Sequence, residues 1–212
     1  MELVRRTAGA LALETNGMSL CGDFSGMLGR LRPHNLSREL LVRAARIRGA
    51  HDRLSAVDAT AGLGEDALLL AAAGFDVVMF ERDQTIAALL DDALVRARED
   101  ARLAGIVSHM RLVKGDAVEG MAQLEGPLDM VYLDPMFPSK RKEAATNKKL
   151  QMFRMLQKPC NDEEAAALLQ AALACGARKV VVKRPLKGPY LADVRPSHSI
   201  KGKVVRYDVI VR

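Results

Sequence analysis

Long hydrophobic runs are missing from this 212-residue chain, although 49% of its residues are apolar. No stretch approaches the ~20 uninterrupted apolar residues that a membrane helix needs. The apolar residues are therefore available for one large α/β core, or a core with a small appendage. The first residues, Met1-Glu2-Leu3-Val4-Arg5-Arg6, contain no apolar segment of signal-peptide length, which argues against secretion. Cysteine is scarce. Cys21, Cys160 and Cys175 are odd in number, scattered and without Cys-x-x-Cys spacing, and they read as reduced thiols of a cytoplasmic protein. Four histidines, His34, His51, His109 and His198, form no metal-ligand pattern, so no metal is expected. Internal repeats and low-complexity linkers are also missing.

Acidic residues are few in one part of the chain only. Residues 1–137 carry 15 Lys and Arg against 20 Asp and Glu, whereas residues 138–212 carry 17 against 6. A charge run alone is most often a solvated face. This one begins directly after a turn with chemical character of its own, Asp134-Pro135-Met136-Phe137, which favours a polyanion-facing surface.

The order of elements is legible in the pattern. Ala10–Thr15 and Met18–Phe24 flank Asn16-Gly17, a strong hairpin signal because both residues tolerate positive φ. A basic, Gly-containing connector, Ser25 to Pro33, leads to a helix starting near Asn35 or Ser37. From Leu54 onward, short apolar runs alternate with helical stretches. The strands are Leu54–Val57, Asp76–Phe80, Arg111–Val113, Leu128–Leu133 and Lys179–Val182. The helices are Glu65–Ala73, Gln84–Leu103, Val118–Leu124, Leu150–Leu156 and Asp162–Cys175. Ser197–Ile200 and Val204–Val211 read as a closing hairpin turning at Lys201-Gly202-Lys203. Such alternation predicts a doubly wound, mainly parallel sheet with right-handed crossovers. The expected organisation is an N-terminal hairpin and helix appendage over 1–50 and a ligand-binding catalytic domain over 51–212.

Three acids and a glycine turn mark a ligand site at the carboxyl ends of these strands. Val57-Asp58-Ala59-Thr60-Ala61-Gly62-Leu63-Gly64 joins the first parallel strand to its helix, and Gly62 and Gly64 let the backbone approach a ligand. The spacing is not the dinucleotide Gly-x-Gly-x-x-Gly, and the acid Asp58 precedes the turn. Glu81, followed by Arg82, ends the next strand and can accept both hydroxyls of a ribose. Asp116 ends the third and is placed to accept from an adenine amine. A ribose, an adenine and an amino or cationic end near Asp58 fit S-adenosylmethionine better than NAD or ATP. In the fourth turn proline stops the ladder because it has no amide hydrogen. That leaves the Asp134 carboxylate, the Pro135 carbonyl and the Phe137 ring where a planar amine could be gripped.

With Asp58-Ala-Thr-Ala-Gly-Leu-Gly, Glu81, Asp116 and Asp134-Pro-Met-Phe-Pro138 in this order, the chain resembles class I S-adenosylmethionine-dependent methyltransferases. It is most similar to the small-subunit ribosomal RNA guanine-N2 methyltransferases of the RsmJ type. Ala87–Asp92 and Val180-Val181-Val182-Lys183-Arg184-Pro185 also carry the likeness, which spans Asp58 to Pro185. The first thirty residues match less clearly. Amino-methyltransferases generally carry Asn/Asp-Pro-Pro-aromatic, and Met136 stands here at the second proline.

The resemblance implies a Rossmann-like seven-stranded fold and methyl transfer to a guanosine amine in 16S rRNA. It implies cofactor contacts from Asp58, Thr60, Gly62, Gly64, Glu81, Arg82, Asp116 and Asp134. Catalytic contacts would come from Asp134, Pro135 and Phe137. Lys140, Arg141, Lys142, Lys183 and Arg184 are the expected phosphate contacts. Three other readings stay open at this level. The turn chemistry also suits an adenine or cytosine amino-methyltransferase. A non-catalytic RNA-binding module could keep the same fold. A nucleotide-dependent oxidoreductase is disfavoured by the glycine spacing.

Overall fold

A computed structural model of the chain describes residues 1–7, 9–15, 17–49, 52–135, 152, 156 and 160–212. The described residues form a three-stranded antiparallel sheet followed by a seven-stranded, mainly parallel one. The small sheet is β1 (Glu2–Arg5), β2 (Leu11–Thr15) and β3 (Met18–Cys21), in that order. It holds one strand more than the expected hairpin, because the short, charged Glu2–Arg5 segment pairs with β2 in register Glu2↔Glu14. Asn16, half of the hairpin signal, lies outside the described residues.

The connector is more helical than its glycines suggest. A 3₁₀ turn over Ser25–Met27 runs into α1 (Leu28–Leu31), α2 (Pro33–Leu36) and α3 (Leu40–Ala45). Neither Asn35 nor Ser37 starts a helix. Pro33 takes the first position of α2, where its missing N–H costs nothing, and Ser37 ends that helix. α3 buries Leu41, Ala44 and Ala45 in the main core.

The large sheet comprises β4 (Leu54–Asp58), β5 (Phe75–Glu81), β6 (Met110–Lys114), β7 (Met130–Leu133), β8 (Lys179–Pro185), β9 (His198–Lys201) and β10 (Val205–Val211). Its order is β6-β5-β4-β7-β8-β10-β9. The helices are α4 (Glu65–Ala72), α5 (Gln84–Glu99), α6 (Ala104–Val107), α7 (Ala117–Ala122) and α8 (Asp162–Ala174). β4 to β8 pair in parallel, whereas β10 inserts antiparallel between β8 and β9. The sheet is buried on both faces, which explains unbroken apolar runs such as Met130–Leu133. One apolar cluster gathers Leu68, Leu70, Met79 and Leu94, and another gathers Val57, Val131, Leu169 and Val180. The chain builds β4, β5 and β6 in one direction, then returns to place β7 on the other side of β4. The crevice at the carboxyl ends of β4 and β7 is thus the topological switch point, where ligands bind in such sheets.

The small sheet docks on α5. Leu13 and Leu20 pack with Ile86 and Leu89. The Asp92 carboxylate accepts from Arg5, from the Leu11 amide and from Arg96 at 2.8–3.0 Å. Gly22 allows the approach, since a Cβ there would lie 2.8 Å from both the Ala93 Cβ and the Leu89 carbonyl oxygen. α5 ends at Glu99, short of the expected Leu103, because Asp100 leaves helical geometry at φ −88°, ψ 112°. The expected Leu150–Leu156 helix falls mainly outside the described residues.

Candidate active site

The glycine turn closes on the neighbouring strand. Gly62 and Gly64 both adopt positive φ, 56° and 78°, so the chain leaves β4 sharply and enters α4. Glu81, 4% exposed at the end of β5, ties this turn down. Its Oε2 accepts from the Gly62 amide at 2.9 Å and its Oε1 from the Asp83 amide at 2.8 Å. Burial raises the Glu81 carboxyl above its ordinary value, and the two amides oppose that rise. Each oxygen keeps a lone pair for a further donor.

Asp58 is 1% exposed. Its Oδ1 accepts from the Thr60 amide at 3.0 Å, and its Oδ2 is buried with no hydrogen-bond partner among the described residues. An orphaned carboxylate oxygen of this kind is costly and marks a place for a donor. Burial pushes the Asp58 carboxyl up to about 8, with the Asp66 and Asp134 charges adding to the rise. Thr60 also fixes the next turn, since its hydroxyl accepts from the Asp134 amide at 2.8 Å.

Asp134 sits just beyond β7 in a network that the sequence did not reveal. Lys183 on β8 donates to Asp134 Oδ2 at 2.9 Å and to Asp66 Oδ2 at 3.0 Å. Asp66, in the first turn of α4, also accepts from the Tyr132 hydroxyl at 2.6 Å. Two carboxylates thus share one ammonium. Burial works against the Lys183 charge, but Asp66 and Asp134 outweigh it and keep the amine protonated. Asp134 itself is raised by burial and by Asp66, and Lys183 counters the rise.

Thr60, Asp66, Glu81, Asp134 and Lys183 line one cleft of about 1260 Å³, larger than the roughly 300–1000 Å³ usual for a small-molecule site. It has room for two ligands. Of the sequence-predicted residues, Thr60, Gly62, Glu81, Arg82, Asp116, Asp134, Pro135 and Lys183 face it. Asp58 and Gly64 lie in the same turn behind that wall. Asp116 stands past the end of β6 and caps α7, accepting from the Val118 amide at 2.7 Å. Arg82 is 3.6 Å from Glu164 across the cleft mouth.

Two expected phosphate contacts are placed differently. Lys183 is committed to the two carboxylates. Arg184 is 3% exposed and donates from Nε to the Pro189 carbonyl at 3.0 Å, so it belongs to the packing behind the cleft. The alternation of a buried strand explains this: neighbouring residues on β8 point to opposite faces. Phe137, Lys140, Arg141 and Lys142 lie outside the described residues.

Sequence reasoning missed Arg30, Asp66 and Tyr207, all of which line the cleft. Arg30 reaches it from α1 while held by Glu39 at 2.7 and 2.8 Å. Asp66 looked like an ordinary acid in a helix's first turn, and Tyr207 like a strand residue. Only the packing of α1, α4 and β10 around β7 brings them together.

Comparison with known proteins agrees with this geometry. A family model described as "Putative SAM-dependent methyltransferase" matches residues 7–212. The chain belongs to this family. S-adenosylmethionine is the family's cofactor. The chain is 45% identical over 175 residues to the Ribosomal RNA small subunit methyltransferase J of Pseudomonas fluorescens strain Pf0-1, covering 82% of this chain and 66% of that protein. It is 46% identical over 193 residues to the protein of the same name in Thioalkalivibrio sulfidiphilus, covering 89% and 74%. The chain thus spans about two thirds to three quarters of the length of these relatives. A solved SAM-dependent methyltransferase of Neisseria gonorrhoeae superimposes with a TM-score of 0.75 at 31% identity, covering 95% of this chain and 78% of that one.

Proposed function

We propose that the protein methylates the exocyclic N2 amine of a guanosine in 16S rRNA of the small ribosomal subunit. The observation that carries this reading is the meeting of the Asp134-Pro135 turn and the Gly62–Glu81 turn in one cleft. The names of the relatives point the same way for the RNA.

Several groups fit the methyl donor. The orphaned Asp58 oxygen suits its amino group, the free lone pairs of Glu81 suit a ribose diol, and Asp116, past the end of β6, suits an adenine amine. When bound, S-adenosylmethionine supplies an electrophilic methyl group on a sulfonium. Asp134 and the Pro135 carbonyl each accept one N–H of the base. That pairing turns the nitrogen lone pair, otherwise delocalised into the ring, toward the methyl group. The amine grows acidic as its new bond forms, so Asp134 need only be ionised to receive the proton. Positioning of this kind can supply roughly 7–11 kcal/mol. A base within a helix cannot reach such a turn, so the target must be splayed or flipped out.

The test is incubation of the purified protein with labelled S-adenosylmethionine and small subunits lacking the modification, followed by nucleoside mapping. Label in N2-methylguanosine is the expected result. Label in N6-methyladenine or N4-methylcytosine would transfer the reading to the other amino-methylation class.

Asp58 supplies a separate check on the donor site. At pH 7, below its value of about 8, it is mostly protonated in the free protein. A bound ammonium favours the ionised form, so cofactor binding at pH 7 should release up to one proton. Affinity should rise with pH until about 8 and then level. Calorimetry in phosphate and in Tris at pH 7 reads the proton count. Asp58→Asn should abolish the buffer dependence and weaken binding roughly tenfold or more. Equal heats in both buffers would remove Asp58 from the cofactor's amino group.

A further inference from the structure

The cleft mouth has one acidic side and one basic side. On the acidic side α8 begins with Asp162, Glu163 and Glu164, all exposed. A polyanion is repelled there. On the other side, residues 28–43 carry four arginines against one glutamate, and residues 186–204 carry four Lys and Arg against one aspartate. That one glutamate, Glu39, is already occupied by Arg30.

The fold joins these two segments into a single ridge. The chain from Arg30, in the cleft wall, runs to Leu40, whose Cδ1 would lie 2.5 Å from a Cβ at Gly202. The start of α3 therefore sits against the tip of the β9–β10 hairpin. The Leu186 amide in turn donates to the Val204 carbonyl at 2.9 Å, which brings the loop after β8 to the same tip. Lys187, Lys201 and Lys203 are exposed at this tip, and Arg32 and Arg38 are exposed on the segment that leads to Leu40. None of the five takes part in an ion pair among the described residues.

The loop is also tied down by a buried cation. The buried Arg206 guanidinium pairs with Asp208 at 2.9 Å. It also donates to the carbonyls of Pro185, Leu186, Gly188 and Pro189 at 2.8–3.3 Å. The same guanidinium lies 5.1 Å from the Tyr190 ring centroid, and Tyr190 remains 42% exposed. Val204 beside Lys203 is 77% exposed. A buried cation bonded to four carbonyls between Pro185 and Pro189 fixes a surface made of exposed cations, an aromatic ring and an apolar knob. That combination suits a nucleic-acid backbone with one unstacked base.

We propose that the hairpin tip Lys201–Val204, the Lys187–Tyr190 loop and the adjoining Arg32 and Arg38 form the platform that docks RNA backbone next to Asp134. The proposal rests on the rRNA reading above and adds the surface through which the RNA is held. β8 leads directly from Lys183, at Asp134, into this loop, so RNA seated on the ridge presents an extruded base to the cleft.

The test uses the triple variant Lys187→Ala/Lys201→Ala/Lys203→Ala and, separately, Tyr190→Ala and Tyr190→Phe. Binding to naked 16S rRNA and to unmodified small subunits is measured between 50 and 300 mM salt, alongside S-adenosylmethionine affinity by calorimetry. For the triple variant the expected result is a 10- to 100-fold loss of RNA affinity near 100 mM salt. The log–log salt slope should shrink by about 2–3, in line with roughly 0.7–0.9 per lost phosphate contact. Cofactor affinity should be unchanged. Tyr190→Ala should lose roughly tenfold with the slope kept, and Tyr190→Phe should bind normally. Unchanged RNA affinity and slope in the triple variant, with wild-type methylation of rRNA intact, would overturn the platform and leave the activity standing. Loss on subunits but not on naked RNA would assign the ridge to a ribosomal protein and also overturn it. If the unaltered protein binds cofactor but neither binds nor methylates rRNA, the functional reading itself fails.

Discussion

Asp134→Ala is expected to lower kcat for methyl transfer by about a thousandfold while changing S-adenosylmethionine affinity less than about threefold. The asymmetry follows from geometry. The proposed donor contacts lie on β4, β5 and β6, whereas Asp134 stands on the far side of the switch point, at the end of β7. Removing its carboxylate leaves Lys183 paired to Asp66 at 3.0 Å, so the wall of the cleft keeps one of its two ion pairs. What is lost is the acceptor that orients the amine. Asp134→Asn keeps an acceptor oxygen without the charge and should fall between the two. Single-turnover rates with saturating cofactor, read beside calorimetric affinity, separate the effects. Turnover of the alanine variant within tenfold of the unaltered protein would end the role assigned to Asp134.

Lys183→Met should lower kcat/KM at pH 7 about 10- to 100-fold and move the acid limb of the pH–rate profile upward. Asp134 faces Asp66 from α4, Asp58 from β4, Lys183 and Arg184 from β8, and Tyr207 from β10. Burial and the Asp66 carboxylate raise its carboxyl, and the Lys183 ammonium and the Arg184 charge lower it. Without that ammonium the rise is opposed by the Arg184 charge alone, and a larger share of Asp134 is protonated at neutral pH. A protonated carboxyl is a poor acceptor for an amine, so the rate should recover as pH rises. Lys183→Arg should keep the profile near its original position. The Lys183, Asp66 and Asp134 side chains are 26%, 21% and 34% exposed. Solvent therefore screens the network, and the stability loss should be about 1–3 kcal/mol, below that for a fully buried pair. A pH profile for Lys183→Met that is merely lower, with an unmoved acid limb, would reduce Lys183 to a structural role.

Much of the fold was legible because the signals were local. Val57-Asp58 leads into a turn with glycines at positive φ, and that is where β4 ends and α4 begins. Met130–Leu133 is apolar throughout, as a strand buried on both faces must be. Pro135 cannot extend the ladder, and β7 stops at Leu133. The alternation of strand and helix fixed the parallel character and the hairpin at the end. Legibility failed where a residue's environment came from distant chain. The short β1 is recognisable as a strand only beside β2. The stretch after β3 carried glycines, arginines and the signal of one helix near Asn35 or Ser37, where three brief helices form.

The sequence by itself determined which chemical groups stand at the carboxyl ends of the strands: Asp58, the glycine turn, Glu81, Asp116 and Asp134-Pro135. Their order along the chain is enough for that, because a parallel sheet sends every βα turn to the same edge. Only the tertiary structure decided what surrounds them. Lys183 and Arg184 are adjacent and alike in sequence, yet one enters the cleft between two carboxylates and the other is buried behind it, because successive residues of a strand face opposite sides of the sheet. Arg30, Asp66 and Tyr207 join the site from three elements far apart in the chain. Burial and the Asp66 charge raise the Asp58 and Asp134 carboxyls through space, and distance in space is what a linear pattern of residues does not contain.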